Sequence, residues 1–339
     1  MRWRPAVTLV VATACWGSVA AASKFALSGF GPLTLLSLEL AIAVVLLWAA
    51  VVFRRWRHGV PVPGPRPVYA LLGLFEPGLA YAGLTFGLIY TSAVSGSLLG
   101  GLEGLLVVVL AVILLHERLS HRGLLALAVA TVGVAMVTAA HTTLRAGIGD
   151  LLIVGGVLAA AGYVLLAGRL EDGTNPVSMT AWQFTFGLLF TLPFLVLRWG
   201  LGTETPRAHI PPSAWLAALM VGGIGFTASF LLYNSVVTKV AASVSGMMLN
   251  LIPLFGLAAA VLVLGERVTT LQVAGGILIV VGVGAFPAGS ATPSSDAPSG
   301  SIPLREPATA ERRATRPLDS YSADGNVHLA VPPMTTRSE

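Results

Sequence analysis

Leu102-Glu103-Gly104-Leu105-Leu106-Val107-Val108-Val109-Leu110-Ala111-Val112-Ile113-Leu114-Leu115-His116-Glu117-Arg118-Leu119-Ser120 decides the fold. Apart from Glu103, the run to Leu115 is unbroken apolar sequence, whereas a strand of a membrane barrel needs roughly 10 residues of strict alternation. Such a run is a helix in lipid, where backbone N–H and C=O groups must be satisfied within the segment. It closes on a charged pair, Glu117-Arg118, as a span leaving the membrane does.

A bilayer core about 30 Å thick takes about 20 apolar residues per helix. Stretches of that kind recur at about 6–27, 33–53, 68–89, 93–115, 123–140, 148–167, 178–197, 213–234, 242–263 and 270–288. The expected fold is all-α and integral to the membrane, with ten transmembrane helices. Composition excludes a soluble domain. Of 339 residues 55% are hydrophobic and 10% charged, with mean hydropathy +0.83, against about 25% charged in soluble domains. Eleven of the 35 formal charges fall after residue 290, so the remaining 289 residues are more apolar still. One cysteine, Cys15, permits neither an intramolecular disulfide nor a cysteine metal cage.

Arg2 and Arg4 before an apolar run ending in small residues imitate a signal peptide. The segment is read as a retained first span because a later segment is its counterpart. With a cytoplasmic N-terminus, inner connections carry ten Lys or Arg (Arg2, Arg4, Arg54, Arg55, Arg57, Arg66, Arg118, Arg122, Arg169, Lys239). The outer ones carry five (Lys24, Arg145, Arg198, Arg207, Arg267). That asymmetry places both termini inside and makes a multi-pass plasma-membrane protein the expectation. Residues 290–339, rich in Ser, Pro, Thr and mixed charge, have no periodic apolar pattern and read as a disordered cytoplasmic tail.

The chain repeats itself. His116-Glu117-Arg118-Leu119-Ser120 closes the fourth span and Gly265-Glu266-Arg267-Val268-Thr269 the ninth, 149 residues on, and Gly133 and Gly282 keep that offset. Val94-Ser95-Gly96 matches Val244-Ser245-Gly246 at 150, and Lys24 and Arg169 end the first and sixth spans. Five spans separate equivalent points, and five is odd, so the second half enters the membrane in the opposite sense. The domains expected are a first five-helix repeat over 1–145, a second over 146–289, and the tail over 290–339.

Two five-helix halves, each with a Glu-Arg pair between its fourth and fifth helices, resemble the EamA family of the drug/metabolite transporter superfamily over about residues 6–288. Trp16-Gly17, Asn234 to Lys239 running into Val240-Ala241-Ala242, and Asn250-Leu251-Ile252-Pro253 add to the likeness. The resemblance implies a permease moving small metabolites, amino acids or amphipathic compounds by alternating access, without ATP and without a bound cofactor. This chain departs from the family where members often carry Arg in the second helix and Pro in the fourth; here Glu39 and Glu103 stand there, and Glu103 is opposite Pro253 at the offset of 150.

Glu39, Glu76 and Glu103 fall about seven, nine and eleven residues into their spans, roughly 10–16 Å deep at about 1.5 Å per residue. A charge at a helix centre costs on the order of 2.5–3.5 kcal/mol. Glu103, then Glu76 and Glu39, are therefore candidates to bind a proton or a cationic substrate group in alternation; the plainer alternative is hydrogen-bonded structural acids. The second half offers neutral Gln183, Asn234 and Asn250 instead. Trp16, Tyr81, Tyr163 and Tyr233, each an apolar body with a polar tip, suit an amphipathic ligand pocket or the core. Pro253 can free backbone carbonyls or act as a hinge. Glu117, Arg118, Glu266, Arg267, Lys24 and Arg169 sit at helix ends and read as gating, anchoring or structural. Gly96, Gly100 and Gly104, like Gly83 and Gly87, read as close-packing positions.

No metal site is expected. The expected partners are the lipid bilayer, a small-molecule substrate and protons, with a second copy of the chain as a candidate and no nucleic acid. The rival readings are an intramembrane enzyme and a membrane scaffold or sensor. No Gly-x-Ser-x-Gly or His-Glu-x-x-His motif occurs, and all six histidines lie outside the spans.

Overall fold

Prolines begin four of the helices, because a first-turn proline gives up only an N–H that would have no intrahelical partner. Pro32, Pro67, Pro176 and Pro212 start helices in this way. The computed structural model describes residues 3–59, 63–90, 99–138, 147–170, 175–204, 209–264 and 268–287. In chain order the helices are α1 (Trp3–Ala26), α2 (Pro32–His58), α3 (Pro67–Gly73), α4 (Ala80–Tyr90), α5 (Glu103–Leu114), α6 (His121–Thr138) and α7 (Ile148–Ala167). They continue with α8 (Pro176–Gly200), α9 (Pro212–Met220), α10 (Ser229–Asn234), α11 (Ala242–Leu249), α12 (Ile252–Leu264) and α13 (Thr270–Ala285). Among the described residues there is no strand, so the all-helical expectation holds.

Among those residues six helical stretches are long and apolar enough to cross a membrane: Pro32–His58, Pro67–Gly87, Ile148–Ala167, Pro176–Gly200, Pro212–Lys239 and Ala242–Ala259. Glu103–Leu114, His121–Val137 and Thr270–Ala285 are shorter apolar helices. Large side chains such as Val45, Leu125, Leu151, Val196, Leu216 and Ile277 stand exposed on the outside. That much bare apolar surface suits lipid rather than water.

Several spans are broken, which hydropathy does not foresee. α3 and α4 flank a π-helical segment, Leu74–Leu79, inside which Glu76 leaves helical geometry (φ −147°, ψ 123°) just before Pro77. α9 and α10 flank a second such segment, Val221–Ala228. The ninth span divides at Asn250 and Leu251, so Pro253 falls in the first turn of α12 and not within a continuous helix. The expected unbroken span 93–115 needs correction: Gly101 and Leu102 form a turn, and Glu103 opens α5 instead of lying deep in a helix. Consecutive glycines at 100 and 101 permit that bend, while composition alone reads straight through it.

The two halves pack reciprocally. α1 lies on α12 while α7 lies on α5; α1 also meets the Val221–Ala228 segment while α7 meets Leu74–Leu79. α2 with α8, α5 with α11 and α6 with α13 pair each helix with its counterpart. Glycines set these distances. A Cβ at Gly104 would come within 2.6 Å of the Gly246 carbonyl, and one at Gly83 within 2.8 Å of the Gly156 Cα. Gly87 packs on α7 in the same manner. At Gly100 a Cβ would meet nothing within 4 Å among the described residues, unlike at Gly104. Gly96, with the tail 290–339, lies outside the described residues.

Candidate functional site

The break at Glu76 sets the first element of the site. Proline has no N–H, so a helix interrupted at residue 77 leaves carbonyls to be satisfied elsewhere. Gln183 on α8 supplies one bond, donating Nε2 to the Glu76 carbonyl at 2.8 Å. Gln183 belongs to a buried polar chain: Asn234 Nδ2 donates to Gln183 Oε1 at 3.1 Å and to Thr180 Oγ1 at 2.9 Å, and the Tyr163 hydroxyl donates to Asn234 Oδ1. The start of the site in the first half is thus held by α7, α8 and α10 of the second.

Glu103, at the start of α5, comes within electrostatic range of Glu76. Tyr81 on α4 feels the charges of Glu76, Glu103 and Glu39 together. The three acids come from three separate spans. Glu103, Tyr81 and Trp16 are only partly buried. Glu39 is buried on α2 beside Ser23, with its Oε1 lacking a hydrogen-bond partner among the described residues.

Aromatic rings pack around Trp16 and Tyr81. Trp16 stands edge-on to Phe230, with ring centroids 5.0 Å apart, and lies 5.2 Å from Tyr233; Tyr81 lies 4.7 Å from Phe226. The Trp16 Nε1 and the Tyr81 hydroxyl are neighbours outside hydrogen-bond geometry, as are the Tyr233 and Ser245 hydroxyls. Trp16 Nε1, Tyr233 Oη and Ser245 Oγ consequently have no partner among the described residues.

The remaining sequence candidates fall elsewhere. Tyr163 is fully buried and committed to Asn234. Asn250 is buried where α11 crosses α5, against Gly104. Glu117 is structural: its carboxylate accepts from Ala242 N–H at 2.9 Å and Ser243 N–H at 3.1 Å, satisfying the first turn of α11. Arg118 is exposed. Arg169 donates to the Leu114 carbonyl at 3.2 Å, covering the end of α5. The Lys24 side chain, Glu266 and Arg267 lie outside the described residues. Among the described residues no group of three or more His, Cys, Asp or Glu side chains is placed to hold a metal.

Sequence reasoning missed Glu204. Its buried carboxylate caps α2 from the second half, accepting from Thr34 N–H at 2.7 Å and Leu33 N–H at 3.3 Å, and a Cβ on Gly31 would collide with it. A lone acid in a connection gave no signal for a partner 170 residues away. Glu204→Ala and Gly31→Ala are each expected to cost about 1–2 kcal/mol, the usual loss for an N-terminal cap. Thermal melts of the purified protein check this: the double substitution should melt no lower than the worse single one, because both remove one contact.

The matches to known proteins agree with this architecture. The model of the EamA-like transporter family matches twice, over residues 3–139 and 147–286. The uncharacterized transporter YyaM of Bacillus subtilis is 26% identical over 77% of this chain and 86% of its own length. A probable terminal-alkyne amino-acid exporter of Streptantibioticus cattleyicolor is 28% identical over 81% and 90%. A solved structure described only as a crystal structure of a protein superposes with TM-score 0.69 at 18% identity, covering 84% of this chain and 96% of that one, and so shares the fold. The chain is a multi-pass membrane protein, and it belongs to the EamA-like transporter family.

Proposed function

We propose that the protein is a secondary transporter of the plasma membrane that exports small metabolites, amino acids or amphipathic compounds. Ten spans form two inverted five-helix repeats, 1–145 and 146–289, with both termini cytoplasmic, and the repeats rock about a chamber between them. Glu103 and Glu76 couple substrate to protons by holding one or the other.

The observation that carries this reading is that a span in each half is broken, at Leu74–Leu79 and at Val221–Ala228, with Glu76 out of helical geometry at the first break and its carbonyl held by Gln183 of the other half. Broken spans at a repeat interface are where transporters of inverted-repeat design place their ligands. The reciprocal packing of α1 on α12 and of α7 on α5 supports two related halves. The exporter named among the relatives supports the outward direction.

The test is internal pH and labelled-substrate counterflow in liposomes carrying the purified protein, with amino acids and amphipathic amines supplied outside. A substrate-dependent proton flux is expected. Counterflow without proton flux removes the coupling, and absence of both removes transport of these classes.

A further inference from the structure

Helix α2 outruns the hydrocarbon core of a bilayer. Its first turn is marked by Trp199, an exposed indole that donates Nε1 to Thr34 Oγ1 at 3.1 Å, and tryptophans of that kind sit where hydrocarbon meets headgroups. From Thr34 to Phe53 the helix rises about 29 Å at about 1.5 Å per residue, which matches a core about 30 Å thick. Arg54, Arg55, Trp56, Arg57 and His58 therefore stand at the height of the headgroups of the other leaflet. All five are exposed, and no carboxylate among the described residues pairs with them. Gly59, in the left-handed conformation (φ 63°), closes the helix by donating its N–H to the Arg55 carbonyl, and a Cβ there would meet nothing within 4 Å among the described residues.

Two features set this end apart from an ordinary charged helix terminus. A helix C-terminus favours cations in its last turn, which accounts for the arginines but not for an indole between two of them that is 82% exposed. An indole so bare is poorly placed in water and well placed at a membrane interface. The second feature is continuity. Val45, Ala49, Val52 and Trp56 recur at i, i+4, i+7 and i+11 and are all exposed, so one apolar stripe runs from the hydrocarbon up to the indole. Phe53 lies beside that stripe, its ring centroid 6.3 Å from that of Trp56, and the Arg57 guanidinium stands 6.0 Å from the same Phe53 ring. That cation–π contact keeps the Arg57 charge next to the stripe, and Arg55 flanks Trp56 on its other side.

We propose that the end of α2 is a binding site for an anionic phospholipid. The acyl chains lie along Val45, Ala49 and Val52, Trp56 sits at the level of the glycerol and ester groups, and Arg55 and Arg57 hold the phosphate, whose oxygens their planar forks match. The occupant is a lipid and not a soluble phosphate, because the apolar stripe and the guanidinium groups occupy, along one helix, the two depths of a lipid's tail and headgroup. A headgroup with net negative charge is selected, because a zwitterionic one brings its own ammonium against the arginines. The site is independent of the transport reading and needs only that α2 crosses the membrane, for which it is long and apolar enough.

Native mass spectrometry of the full-length protein in detergent reads the first bound lipid as phosphatidylglycerol, or phosphatidylcholine with the same acyl chains, is titrated in. The wild type should bind the anionic lipid at least ~10-fold more tightly than the zwitterionic one, as contact with two arginines implies. Arg55→Gln combined with Arg57→Gln should bring the two lipids within about threefold of each other. Arg118→Gln combined with Arg122→Gln removes the same charge from another exposed cluster and should leave the preference within about twofold of the wild type. Glycerophosphoglycerol, the same headgroup without acyl chains, should not displace the bound lipid when added in excess. All four arginines are exposed, so both double variants should melt with the wild type. A preference kept by the Arg55 and Arg57 double variant overturns the proposal. Equal loss in the Arg118 and Arg122 control also overturns it, because the attraction would then be diffuse charge with no site. Displacement by the free headgroup does so too, by assigning the arginines to a soluble anion.

Discussion

Glu103→Gln is expected to cut transport of every substrate at least ~10-fold, a loss of about 1.4 kcal/mol or more in the rate-limiting state, while leaving yield and melting temperature close to those of the wild type. Gln keeps the shape of the side chain and removes only the ability to carry a negative charge and exchange a proton. Glu103 opens α5 and is only partly buried, so the substitution does not empty a packed position. Glu39→Gln should have the smaller effect, because Glu39 is buried on α2 whereas Glu103 keeps accessible surface. Uptake into proteoliposomes at matched protein density is the measurement. A Glu103→Gln rate equal to wild type would take this carboxylate out of the mechanism.

Gly133→Leu should have the largest effect on the fold itself. A Cβ at Gly133 would lie 2.6 Å from the Gly275 carbonyl and 2.7 Å from the Ile279 nitrogen, both backbone atoms that cannot swing aside. The reciprocal contact is as tight, with a Cβ at Gly275 standing 2.7 Å from the Gly133 carbonyl. Overpacking of this kind costs about 1–3 kcal/mol where side chains can adjust, and more where two backbones must separate. Gly284→Leu and Gly155→Leu serve as controls, because a Cβ at either position meets nothing within 4 Å. Melting followed by size-exclusion chromatography should show Gly133→Leu and Gly275→Leu well below both controls. Equal melting of all four would mean that the α6–α13 contact is not a constraint.

What the sequence made legible was long-range order. Apolar length marked the spans, and the paired Glu-Arg motifs marked two halves that the structure packs reciprocally. The acids too were legible, because a carboxylate in an apolar run is conspicuous. Their setting was not. Nothing in the apolar run around Glu103 signals that the helix starts there, since the turn depends on glycines that elsewhere serve only packing. The span holding Glu76 read as continuous, so neither its break before Pro77 nor the bond from Gln183 was legible. Nor does the sequence single out Phe226 and Phe230, core phenylalanines that pack on Tyr81 and Trp16. Glu117 was visible as a helix-end acid, and its role as a cap for α11 became clear only when the chain was folded.

The polar chain through Asn234 and the cap from Glu204 also bear on how the protein is made. Thr34 waits 170 residues for its carboxylate, and the Glu76 carbonyl waits 107 residues for Gln183. While the first half is emerging from the ribosome, the opening turn of α2 and the interrupted third span are therefore unfinished. They are completed only when the second half arrives beside them. Biogenesis of the first half ends, in this sense, with residues encoded in the second, and a nascent chain stopped near residue 145 should be a substrate for membrane quality control instead of a stable half-transporter.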